Sequence, residues 1–189
     1  MGKKVVVTGV PGVGKTTVID QVISGLAAEG VEYQNINFGS CMFDVASNQG
    51  IVTSRDDMRK LEQAKQRELQ RNAAQFIAKT EGNVLIDTHC TVKTPKGYLA
   101  GLPEWVLKEL MPDIVVLVET DEDQILMRRL GDESRVRDAE GYRALCEHQQ
   151  FNRAMAASYA MLTGCTVKIV VNADNLLDRS VEELKEILR

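Results

Sequence analysis

Apolar positions follow two alternating rhythms along the chain. Lys3 to Thr8 holds the run Val5-Val6-Val7, the length and composition of a strand, and Val18, Ile19, Val22, Ile23 and Leu26 then recur on one face of a helix. Gly30 marks the end of that helix, and Tyr33 to Phe38 makes a second strand that runs into Gly39-Ser40. From Gln63 to Lys79 the pattern is strongly helical, with Leu69, Ala73, Phe76 and Ile77 on one stripe. Val84-Leu85-Ile86-Asp87 is a short central strand. Ile114 to Glu119 is another, and its uninterrupted apolar character suits a sheet covered on both faces. Val167 to Val171 supplies a fifth strand, and Leu177, Val181, Leu184 and Leu188 line a closing helix from Leu176 to Leu188. Strands alternating with helices predict a three-layer parallel α/β domain.

The least regular stretch lies between the second strand and the long helix. There Phe43, Val45, Ala46, Met58 and Leu61 sit among Asp44, Arg55, Asp56, Asp57 and Arg59, and Ser54 and Asp57 have the spacing of a capping box. Two short helices in an inserted subdomain are expected.

At 189 residues the chain fits one domain. A net charge of -4 gives no general electrostatic case for nucleic acid or an anionic membrane. No apolar run approaches a membrane span and the first residues enter a strand with no leader core, so a cytoplasmic protein is expected. Cys41, Cys90, Cys146 and Cys165 form no Cys-x-x-Cys pair, and with only His89 and His148 beside them they read as reduced, partly buried thiols.

Gly9-Val10-Pro11-Gly12-Val13-Gly14-Lys15-Thr16 carries the chemistry, because it turns the first strand into the first helix through a loop able to wrap a triphosphate. The glycines let backbone N–H groups converge on phosphate oxygens, and the helix presents its positive end to the anion. Lys15 reaches the β and γ phosphates, while the Thr16 hydroxyl suits the Mg²⁺ of a nucleoside triphosphate. The expected nucleotide-binding set is Gly9, Pro11, Gly12, Val13, Gly14, Lys15, Thr16 and Thr17. Asp87, at the carboxyl end of a strand, is the second metal candidate through water, with Glu119 a weaker one at an analogous edge. Four arginines, Arg128, Arg129, Arg135 and Arg137, straddle a Gly/Asp/Ser-containing bend, which suits a lid closing on phosphate charge. A solvated charged turn is the competing reading of the same residues.

Over essentially its whole length the sequence resembles the archaeal-type adenylate kinases. The resemblance rests on Gly9 through Thr17, Asn37-Phe38-Gly39, Ser54 through Arg59, Asp87-Thr88-His89, Thr91 through Leu99, Gly101-Leu102-Pro103, and Arg128 through Arg135 with Arg137-Asp138. It implies a P-loop nucleoside monophosphate kinase fold around a five-stranded parallel sheet, with a helical AMP-binding insertion at 39–62 and a short arginine-rich lid at 131–140. It implies reversible conversion of ATP and AMP to two ADP, Mg²⁺ dependence, a cytoplasmic location and a homotrimer. Lys15, Arg128, Arg135 and Arg137 resemble the catalytic phosphate-holding groups, Thr16 and Asp87 the metal-organising pair, and Arg59 the contact to AMP phosphate. The chain departs from ordinary bacterial adenylate kinases at Asp87-Thr88-His89-Cys90 and in its short lid. Other functions compatible with the residues are kinases of another nucleoside monophosphate or small phosphate acceptor, and a P-loop nucleotide switch.

Overall fold

The computed structural model describes residues 2–58, 60–131 and 141–189. Five strands, β1 (Lys4–Thr8), β2 (Tyr33–Asn37), β3 (Asn83–Asp87), β6 (Ile114–Glu119) and β7 (Thr166–Val171), form one parallel sheet in the order β2-β3-β1-β6-β7. A separate antiparallel hairpin pairs β4 (Thr91–Thr94) with β5 (Gly97–Ala100).

Both faces of the sheet are covered, and the side-chain alternation of the strands sorts the core into two halves. Val6, Val84, Ile86, Val115 and Leu117 pack on one face. The helices there include α4 (Gln63–Lys79), α5 (Glu104–Leu110) and α7 (Tyr142–Thr163), which supply Ala73, Ala74, Ile77, Val106, Leu107, Leu110, Ala156 and Tyr159. Val5, Val7, Leu85, Val116 and Val118 pack on the other face against α1 (Lys15–Ala28), α6 (Glu122–Leu130) and α8 (Leu177–Leu188). A strand with neighbours above and below has no polar face, which is why Ile114 to Glu119 reads as an unbroken apolar run. The edge strand β7 is covered less fully.

Local signals account for the helix boundaries. Helix α1 stops where Gly30 adopts a φ of 80°, with Gly30 N–H bonded to Ala27 O and Val31 N–H to Leu26 O. The insertion comprises α2 (Phe38–Asn48) and the one-turn α3 (Arg55–Met58). Ser54 and Asp57 cap α3 reciprocally: Ser54 N–H donates to Asp57 Oδ2 at 3.1 Å and Asp57 N–H to Ser54 Oγ at 3.3 Å. On α4, Leu69, Ala73, Ala74 and Ile77 are buried, whereas Phe76 is exposed, so the expected stripe is right except for its largest member. The hairpin and α5 do not follow from the apolar rhythm, since four-residue strands beside a polar turn leave almost no period to detect.

Candidate active site

Every parallel strand of the sheet ends on one side, and the cleft opens there. The chain leaves β1 at Gly9, turns through Gly12 (φ 101°) and Gly14 (φ 81°) and enters α1 at Lys15. Glycine is required at both turning points because a side chain at positive φ is strained. The loop borders a cleft of about 610 Å³ lined by Gly9, Pro11, Gly12, Gly14, Lys15, Thr16 and Thr17. Val13 is different. Its side chain is buried in the core beside Val7 and Val18, so the residue serves the loop through its backbone.

The opposite wall comes from the ends of β2 and β3 and from the insertion. Asn37, Arg55, Asp87 and His89 line it, and Arg128 of α6 completes the cleft. Lys15 Nζ forms an ion pair with Asp87 Oδ1. Burial in the cleft lowers the Lys15 ammonium to about 8. The other oxygen of Asp87 accepts a hydrogen bond from Asn37 Nδ2 at 3.1 Å, while Asn37 Oδ1 accepts from Ser40 N–H and caps α2. Arg55 Nη2 donates to Ser40 Oγ at 2.8 Å. One chain of polar contacts therefore joins the phosphate loop, the end of β3 and the insertion.

His89 is held below the usual imidazole range, first by burial in the cleft and then by the charges of Lys15 and His148. It lies with Lys15 and Asp87 in the cleft wall. His148 is instead a buried packing residue of α7, its Nε2 3.1 Å from Thr91 Oγ1, which itself donates to Asn152 Oδ1 at 2.6 Å.

The weaker metal candidate Glu119 is turned away from this work. Its buried carboxylate is gripped by Arg153, with Nε 2.9 Å from Oε1 and Nη2 2.5 Å from Oε2. A carboxylate closed into a two-pronged guanidinium contact has little left for a metal. Arg128 sits at the cleft with its donors on Val13 O, Asn172 O and Asp174 Oδ1. Arg129 lies beside it and donates to Pro11 O. Arg59, Arg135 and Arg137, and the expected lid apart from Gly131, lie outside the described residues.

Sequence reasoning passed over Asn37, Arg55 and Asn172 as site residues, and counted Arg129 only among the arginines of the expected lid. Arg55 carried a signal, being a cation directly after the Ser54 cap in the inserted segment. Asn37 ends a strand, as Asp87 does, and that position was the available clue. Asn172 gives no local sign of its contact with a loop 159 residues away.

The oxygen donors Thr16 and Asp87 both face the cleft, a hydroxyl and a carboxylate of the type a hard divalent cation takes. Among the described residues no group of three or more His, Cys, Asp or Glu side chains is arranged to hold a metal ion. This donor set fits a Mg²⁺ that keeps several waters and leans on substrate phosphates. No described helix is long and apolar enough to cross a membrane. The four cysteines are free.

Comparison with known proteins narrows the family. A family model described as an AAA domain matches residues 8–145. Among solved structures, a shikimate kinase from Bacteroides thetaiotaomicron aligns with a TM-score of 0.59 at 18% identity, covering 98% of both chains. A sugar kinase from Janibacter sp. aligns with a TM-score of 0.55 at 16% identity, covering 97% of this chain and 92% of that one. These share the fold. Sequence relatives are nearer: the adenylate kinase of Methanoculleus marisnigri is 64% identical over 100% of both chains. That of Methanocaldococcus jannaschii is 53% identical, covering 99% of this chain and 98% of its own. The adenylate kinase of Methanopyrus kandleri is 50% identical over 100% of this chain and 99% of its own. With its phosphate loop, its parallel sheet and this chain-long identity, the protein belongs to the archaeal-type adenylate kinases.

Proposed function

We propose that the chain catalyses the reversible transfer of a phosphoryl group from ATP to AMP, giving two ADP. The observation that carries this reading is chain-long identity of 50–64% to archaeal proteins named adenylate kinase. The cleft supports it, with a phosphate loop on one wall and the insertion on the other.

The reaction needs positioning and charge compensation more than covalent chemistry. An AMP phosphate oxygen is already anionic near neutral pH and attacks the γ-phosphorus without a protein base, provided that donor and acceptor are held in line. In this reading the N–H groups of the loop from Gly9 to Thr17 cradle the ATP phosphates, and Lys15 exchanges Asp87 for the β and γ oxygens. Thr16 and Asp87 would hold Mg²⁺, which when bound offsets phosphate charge. Arg128, Arg135 and Arg137 would stabilise the group in transit, and Arg55 and Arg59 would take the AMP phosphate. Residues 39–62 then form the AMP-binding part and 131–140 the lid. A homotrimer and a cytoplasmic location are further inferences from the family.

A coupled phosphotransfer assay tests the reading: purified protein and MgATP are offered AMP, CMP, UMP and GMP in turn. AMP is the expected acceptor, with ADP the product. Preference for another monophosphate would make this a different nucleotide kinase, and ATP loss without any acceptor dependence would make it a hydrolytic switch.

A further inference from the structure

Two alternate carbonyls of the phosphate loop are gripped by side chains from elsewhere in the fold. Pro11 O accepts from Arg129 Nε at 2.9 Å and Nη2 at 2.7 Å. Val13 O accepts from Asn172 Nδ2 at 2.7 Å and Arg128 Nη1 at 3.0 Å. Among the described residues no peptide bond is cis. Across a trans peptide the C=O of one residue and the N–H of the next point in opposite directions. A side chain that fixes a carbonyl therefore also fixes the direction of the following N–H, and here those following residues are Gly12 and Gly14, both in the cleft wall.

Asn172 is itself well fixed. Val13 O can only accept, so the Asn172 amide must present its nitrogen to it and leave Oδ1 for the Ser180 hydroxyl, 3.1 Å away. Asn172 is buried at the end of β7, and its N–H donates to Glu119 O at 2.8 Å, tying it to the end of β6. These contacts crowd any side chain placed at the two glycines. A Cβ on Gly14 would lie 2.6 Å from Asn172 Nδ2, and one on Gly12 would lie 3.2 Å from Arg129 Nε. Glycine at 12 and 14 thus serves close approach as well as positive φ.

We propose that Asn172 and Arg129 are positioning residues that hold the Pro11–Gly12 and Val13–Gly14 peptides with their N–H groups turned toward the phosphates of the nucleotide. The inference rests on the phosphate-binding reading of the loop and deepens it. A polyanion site works best when its donors are aligned before the ligand arrives, because no binding energy is then spent turning peptides against solvent. The two residues act through the backbone and are distinct from groups that touch the substrate.

Sodium tripolyphosphate with MgCl₂ is the probe, since it carries the phosphates of ATP without the base. Its affinity is measured by calorimetry for the wild-type protein, Asn172→Leu and Arg129→Met, beside steady-state constants for ATP and AMP, thermal unfolding, and ¹⁵N–¹H spectra of Gly12 and Gly14. Each variant should bind tripolyphosphate about tenfold more weakly, as loss of an aligned hydrogen bond permits. The Gly12 or Gly14 amide should shift, while the AMP KM stays within about twofold and the melting temperature within a few degrees. Should Asn172→Leu not fold, Ser180→Ala, which frees the amide to rotate, should weaken tripolyphosphate in the same sense. Unchanged tripolyphosphate binding in the variants overturns the proposal, as does weakened ATP binding with tripolyphosphate unaffected, which would assign Asn172 to the base. A wild-type protein that fails to bind tripolyphosphate overturns the phosphate reading of the loop itself.

Discussion

Lys15 and Asp87 meet as an ion pair between the first turn of α1 and the end of β3, across the space where the proposed nucleotide phosphates and metal belong. In the proposed reaction each would be released to its own ligand as the nucleotide enters. Burial holds the Lys15 ammonium at about 8, below its ordinary value of 10.5. A triphosphate beside it favours the charged form and raises it again. Between these values the free protein carries fewer protons than the complex, so MgATP binding at pH 8.5 should take up protons and weaken as pH rises from 8 toward 10. Calorimetry in two buffers of different ionisation enthalpy reads the uptake directly. Proton release, or uptake that persists in Lys15→Met, would show that Lys15 is not the group responding.

Lys15→Ala should cut turnover by roughly two orders of magnitude or more, the scale set by loss of an aligned donor in a water-poor site. Its fold should survive, because removing a cation from a place that disfavours its charge relieves desolvation even as the contact with Asp87 is lost. Turnover beside thermal unfolding separates the two. Near-normal turnover in a folded variant would remove Lys15 from the mechanism.

The wall that carries Asp87 and His89 depends on a close backbone crossing. Gly101 N–H donates to Cys90 O at 2.8 Å, and Tyr159 Oη donates to the same carbonyl at 2.7 Å while accepting Leu102 N–H at 3.1 Å. A Cβ on Gly101 would overlap the carbonyl of His89. Gly101→Ala should therefore destabilise by about 2 kcal/mol or more, since backbone must move to make room. Tyr159→Phe should cost about 1–2 kcal/mol by leaving buried backbone groups short of a partner. Urea unfolding checks both, and unchanged midpoints would mean that the crossing yields without cost.

The parallel sheet was legible in the sequence because five short apolar runs alternate with helical stripes, and the unbroken run from Ile114 to Val118 suits a strand buried on both faces. The phosphate loop was legible because its chemistry is local: Gly9 to Thr16 does its work within one turn of chain. What escaped was assembled across distance. Asn172 joins Val13, Arg153 joins Glu119, and Asn37 joins Asp87 through contacts that no periodicity encodes. The mistaken placing of Phe76 has a similar cause, since helical spacing defines a stripe but not where its edge meets solvent.

Glu119 and Arg153 make a second stability prediction. Arg153→Met leaves a buried carboxylate without its cation and should destabilise by roughly 2–3 kcal/mol, below the range for fully buried pairs because Arg153 is half exposed. Adding Glu119→Gln to that variant removes the stranded charge and should restore part of the loss. Additive losses in the double variant, measured by denaturant unfolding, would show that the two residues contribute independently.

Arg55 is the arginine of the insertion whose place in the cleft the structure describes. It lines the same cleft as Lys15 and Thr16, held by Ser40 Oγ, and its guanidinium stands 5.8 Å from the centre of the Phe43 ring. In the proposed reaction a cation there would meet the acceptor phosphate, while the loop serves the donor. Arg55→Met should accordingly raise the AMP KM about tenfold or more, as loss of a charge-assisted contact permits, with the ATP KM changed far less. Arg55→Lys should recover only part of the loss, because an ammonium keeps the charge but not the planar two-oxygen contact. Arg55 is exposed at the cleft and packs little apolar surface, so neither change should lower the unfolding midpoint much. Steady-state kinetics with each substrate varied in turn decides the matter. A larger effect on the ATP KM would place Arg55 on the donor side, and equal effects on both with a fallen midpoint would make it a structural brace between Ser40 and α3.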